Sequence, residues 1–78
     1  MNKLLLKEAT QEHVVYFYQP EGQGEPGEIF YDFKTQETTI REKASDDDTG
    51  YYARNAAHKI REYVKGALLP LHSIQAWY

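Results

Sequence analysis

Seventy-eight residues allow one domain, spanning 1–78, and a chain this short hides only about 60–65% of its unfolded surface, so its stability is slender. The chain holds no cysteine, which excludes disulfides and thiolate-bound zinc as staples and leaves oligomerisation as the usual remaining device. A net charge of −3 argues against a general nucleic-acid binder, and an aromatic content of 14% argues against a disordered chain.

The charge is unevenly spread. Residues 1–50 hold five Lys/Arg and eleven Asp/Glu, a net of −6, whereas residues 51–78 hold four and one, a net of +3. That division leaves room for a local basic site, or for two copies meeting with opposite charges together. The apolar run Leu4–Leu6, between Lys3 and Lys7, is too short for a signal peptide or a membrane-spanning helix. The sequence therefore reads as a soluble, cytoplasmic protein with no membrane association.

In chain order, residues 2–8 suit either a helix or a strand; a strand is favoured because a second one follows the turn-like Ala9–Glu12. His13–Gln19 is that second strand, dominated by β-branched and aromatic residues. Pro20–Gly27 is a loop, with two prolines, three glycines and no apolar residue, too long for a tight hairpin and expected to be mobile. It matches no phosphate-binding spacing, and Glu21 and Glu25 would repel an anion. Glu28–Lys34 is a third strand, Thr35–Glu37 a turn, and Thr38–Lys43 a polar fourth strand suited to a sheet edge.

The clearest element is an amphipathic helix over about 46–65. Ala53, Ala56, Ala57, Ile60, Tyr63 and Val64 fall on one stripe at a 3.6-residue period. Ser45 with Asp48 resembles a capping box, Asp48 is the competing N-cap, and Asp46–Asp48 places negative charge at the helix start. Lys65 and Gly66 read as its stop, the glycine being free to take a positive φ. Ala67–Leu71 is an apolar connector and His72–Tyr78 a last strand, with Trp77 expected to be packed. The expected fold is α+β: a small antiparallel sheet of four or five strands with one helix on one face.

That arrangement leaves one apolar face too many. Val15 and Phe17 point one way from the second strand, and Val14, Tyr16 and Tyr18 point the other. Ile29, Tyr31 and Phe33 share a face, with Phe30 opposite beside Asp32. The expected interaction surface is Val14, Tyr16, Tyr18 and Phe30, an aromatic face suited to self-association or to another protein, with a homodimer as the first form. An aromatic sheet can also stack bases, but EIFYDF lacks the glycine and basic pattern of ribonucleoprotein motifs, so nucleic acid ranks low as a partner.

On the solvent side of the helix, Arg54, His58, Arg61 and Lys65 form one ridge. It is a candidate anion or nucleic-acid site, weighed against an ordinary solvated face with Glu62 pairing locally. His58 and Glu62 alone make too few ligands for a metal, and Asp46–Asp48 lacks the spacing of a calcium loop. Ser45 and Ser73 sit in no nucleophile elbow. No catalytic residue, cofactor or metal is expected. The reading is a small interaction module, not an enzyme, with anion binding as the alternative.

Overall fold

The computed structural model describes residues 2–66 and the backbone of residues 72–75. Five strands and one helix follow in the order β1 (Asn2–Ala9), β2 (His13–Pro20), β3 (Gly27–Asp32), β4 (Glu37–Glu42), α1 (Tyr51–Lys65) and β5 (His72–Gln75). All strand pairs are antiparallel, and the sheet order is β4-β3-β2-β1-β5. The first four strands form a meander. The helix then carries the chain back across one face, so that β5 joins the far edge beside β1. This is the α+β architecture read from the sequence. The connector Ala67–Leu71, and Trp77 with the end of the expected last strand, lie outside the described residues.

Short polar side chains close the turns. The Thr10 hydroxyl accepts hydrogen bonds from the Glu12 and His13 amides at 3.1 and 3.0 Å, which joins β1 to β2. The Asp32 carboxylate accepts from the Lys34 and Thr35 amides at 2.8 and 3.2 Å. That turn ends β3 at Asp32, two residues before the expected boundary, and Phe33 turns back against Tyr31 with ring centroids 5.8 Å apart.

The proline- and glycine-rich loop is anchored. The Ser45 hydroxyl accepts from the Glu25 amide at 2.8 Å, and the Ser45 amide donates to the Glu25 carbonyl at 3.0 Å. The Gln19 amide side chain donates to the Gly24 carbonyl at 2.6 Å. Gly27 lies under Tyr18, where a Cβ would run into the ring and approach Ala44 N and Glu42 O to 2.6 Å. Any larger residue would displace backbone there.

The helix starts at Tyr51, five residues after the expected start. Gly50, at φ 80°, turns the chain into it. Neither Ser45 nor Asp48 caps it: Ser45 serves the loop. The buried Asp47 accepts from the Tyr52 amide at 3.1 Å and the Ala53 amide at 3.0 Å. It also accepts from the Tyr18 hydroxyl at 2.9 Å, and that hydroxyl in turn accepts from the Ala44 amide at 2.9 Å. One carboxylate thus satisfies the helix start and fixes it to β2. At the other end Gly66 stays right-handed, at φ −82°, and its N–H donates to the Glu62 carbonyl at 3.1 Å.

The core lies between α1 and one sheet face. Leu4, Val14, Tyr16, Tyr18, Ile29 and Tyr31 pack beneath Ala53, Ala56, Ala57 and Ile60. Three alanines bring the helix axis close to the sheet and leave room for the tyrosine rings beneath. Burial of Ile60 alone contributes roughly 1.5–3 kcal/mol. Tyr16 and Tyr18 are 0% exposed and Val14 is 1% exposed. The expected interaction surface is therefore corrected: Val14, Tyr16 and Tyr18 belong to the core, and only Phe30 lies on the opposite face. The reason is register. Tyr16 pairs with Ile29 and Val14 with Tyr31, so the tyrosines share the face that α1 covers.

Candidate functional site

The face turned away from α1 carries Leu5, Val15, Phe17 and Phe30, set by the pairs Leu5–Phe17 and Val15–Phe30. No described helix covers it. Charged side chains do, and two β-bulges put them there.

In β1 the register with β2 passes from Leu6–Tyr16 to Glu8–Val15, leaving Lys7 as an extra residue. In β4 the register with β3 passes from Ile29–Ile40 to Glu28–Glu42, leaving Arg41 extra. A bulge re-aims the side chain it inserts. Both extra residues are cations, and both reach over this face. The Lys7 ammonium lies 5.2 Å from the centroid of the Phe17 ring, and the Arg41 guanidinium 4.6 Å from that of Phe30. Both meet Glu28, at 2.6 Å for Lys7 and 3.7 Å for Arg41. Hydrogen bonding from Lys7, reinforced by the charge of Arg41, holds the Glu28 carboxyl below its ordinary pKa. Nearby, His13 pairs with Glu8 and stands 4.9 Å from the Phe30 ring. Its hydrogen bond keeps Glu8 below the ordinary carboxylate value as well.

This cover stops short of one end. Leu5 is 43% exposed. It borders an apolar hollow of about 240 Å³ formed with Phe17 and Pro26 and rimmed by Lys3 and Gln19. Lys3 is exposed and makes no ion pair among the described residues. Sequence reasoning missed Leu5, Phe17 and Pro26. The signal was present in β3, where Glu28 and Asp32 flank Phe30 at period two and mark that face as the one turned to solvent.

The basic ridge does not converge. Arg54 donates to the Thr49 carbonyl at 3.2 Å, and Arg61 reaches across to the Thr38 hydroxyl at 2.9 Å. His58 pairs with Glu62 at 2.8 Å, and Lys59 with the same carboxylate at 3.4 Å. The four expected anion-binding residues share one helix side, but three of them, Arg54, His58 and Arg61, are engaged with local partners. Among the described residues no group of three or more His, Cys, Asp or Glu could hold a metal ion, and no helix is long and apolar enough to cross a membrane. No family model, curated protein or solved structure matches the chain.

Proposed function

We propose that the protein is a binding module that engages another polypeptide through the sheet face opposite α1, centred on Leu5, Phe17 and Pro26. The observation that carries this is the contrast in cover. The helix packs over the middle of one apolar face and leaves Ile40 of the edge strand 44% exposed there, but only on the other face does an exposed aliphatic side chain, Leu5 at 43%, border an apolar hollow. A hollow with apolar walls and a polar rim can seat one anchoring side chain of a partner. Phe17 supplies an aromatic anchor, and Lys3 and Gln19 supply polar contacts at the rim.

A photo-crosslinking residue placed at position 5 tests this in the cell of origin. Adducts of increased mass are expected from position 5 and not from Thr35, which sits in the exposed β3–β4 turn. Equal labelling from both positions, or none from position 5, overturns the reading.

A further inference from the structure

We infer that the polypeptide taken by this face is a second copy of the chain, presenting the exposed stripe of its α1. The inference rests on the reading above that the sheet face opposite α1 binds a polypeptide; its own support is charge, shape and the placement of the two patches.

By register, the face opposite α1 carries Glu8, Glu28 and Asp32, together with Glu37 and Glu42 of the edge strand. Lys3, Lys7 and Arg41 are its cations, so acid is in excess. The exposed stripe of the helix has the opposite balance: Arg54 and Lys65 stand against Glu62 alone, while Lys59 is paired with Glu62 and Arg61 is turned to Thr38. Two sheet faces brought together would set acid excess against acid excess, whereas sheet against helix joins opposite signs.

The shapes also agree. The exposed helix positions are Tyr51, Arg54, His58, Glu62 and Lys65, one stripe along a helix about 22 Å long at 1.5 Å per residue. An eight-residue strand such as β1 runs for about 26 Å, so the stripe can lie along the face. Tyr51, 44% exposed at the start of the helix, supplies an aromatic ring with a polar tip for the hollow of Leu5, Phe17 and Pro26. Arg54 and Lys65 form no ion pair among the described residues and are available to the acids of the neighbouring face.

Placement sets the form of the assembly. The helix and the Leu5 face lie on opposite sides of the sheet, so one copy cannot turn both toward the same neighbour. Each contact leaves one helix stripe and one sheet face open, and association is head-to-tail and does not stop at two.

Sedimentation of the full chain and two variants decides the matter. Leu5→Asp spoils the sheet patch; the double variant Arg54→Glu/Lys65→Glu spoils the helix patch. The unaltered chain is expected to pass the mass of a dimer as concentration rises, and to dissociate with added salt. Each variant alone is expected to stay monomeric. Mixed one to one they are expected to form a dimer and stop there, since each supplies the patch the other lacks. Circular dichroism checks that the variants are folded, with Leu5→Asn replacing Leu5→Asp if the latter is not. Self-association of the double variant on its own would overturn the helix-to-sheet contact while leaving the sheet face as a binding surface. A chain monomeric at high micromolar concentration would overturn the second copy as partner; position-5 adducts with some other polypeptide would then still uphold the binding face, and their absence would remove that too.

Discussion

The two faces of this sheet solve one problem by different means. On one, Tyr16, Tyr18, Ile29 and Leu4 are fully buried under a helix whose contact side is mostly alanine. On the other, Phe17 and Phe30 are covered by the stems and charges of Lys7 and Arg41, set over the rings by bulges in the two flanking strands. The first cover is close-packed over the middle of the sheet and stops short of Ile40 on the edge strand, which is 44% exposed. The second is a lattice of long side chains whose heads remain in water. A small chain with one described helix can therefore shield two apolar faces, and the weaker cover is the one that leaves a gap at Leu5.

Adjacent positions of β2 give the most direct test of that difference. Tyr16→Ala empties a site sealed on every side and is expected to cost about 4 kcal/mol, enough to leave the chain largely unfolded. Phe17→Ala, one residue on and facing the other way, is expected to cost about 1–2 kcal/mol, because its ring is only partly removed from water. Urea denaturation of the two variants measures both values. Equal losses would mean that the outer face is as well packed as the core.

The buried Asp47 is next in size. Asp47→Ala leaves the Tyr52 and Ala53 amides and the Tyr18 hydroxyl without their acceptor, at an expected cost of about 3 kcal/mol. Asp47→Asn keeps one acceptor oxygen and should lose about half as much by the same reasoning. A loss below about 1 kcal/mol for the alanine variant would show that water replaces the carboxylate and that the helix is held by packing alone.

High pH separates the faces without mutation. Burial pushes both Tyr16 and Tyr18 from 10.0 up to about 12, with the neighbouring Tyr63 and Asp47 adding to the effect respectively. A raised folded value means that the folded state holds its protons more tightly than the unfolded chain. The stabilising effect is complete below pH 10 and is lost as pH rises from about 10 to 12, by up to about 3 kcal/mol for each ring. Thermal melts in that window should show Tm falling steeply, and Tyr18→Phe should flatten the fall. An unchanged slope in Tyr18→Phe would mean that other groups govern alkaline unfolding.

Much of the inner face could be read in advance. The helical stripe Ala53, Ala56, Ala57 and Ile60 is unmistakable at its period, and β2 and β3 are legible from their β-branched and aromatic residues. The choice of face was not legible in β2, where Val14, Tyr16 and Tyr18 and their neighbours Val15 and Phe17 are both apolar sets. It was legible in β3, where acids flank Phe30, but only once the pairing of Tyr16 with Ile29 is known. The bulges left no mark at all, since Lys7 and Arg41 are neither glycine nor proline, yet each places a cation over a ring. The helix start was misplaced because three consecutive aspartates look alike in sequence, and burial alone singles out Asp47.

The smallest effects concern the outer cover, where the question is whether charge or stem provides it. Lys7→Ala removes both the pairing with Glu28 and the contact over Phe17, and is expected to cost about 0.5–1 kcal/mol. Lys7→Met keeps an unbranched stem of similar length and discards the charge. If the cover is mainly apolar, the methionine variant should recover most of that loss, and 1 M salt should leave the unaltered chain nearly as stable as before, since screening acts on the ion pair and not on the stem. If the Glu28 pairing dominates, methionine should behave as alanine does, and a Lys7–Glu28 double-mutant cycle should return a favourable coupling that disappears in salt. Arg41 provides the internal check. Its distance of 3.7 Å to Glu28 is longer than the 2.6 Å of Lys7, while its position over Phe30 is closer than that of Lys7 over Phe17. Arg41→Ala should therefore show little coupling to Glu28 and a clear coupling to Phe30, the reverse of the balance at Lys7.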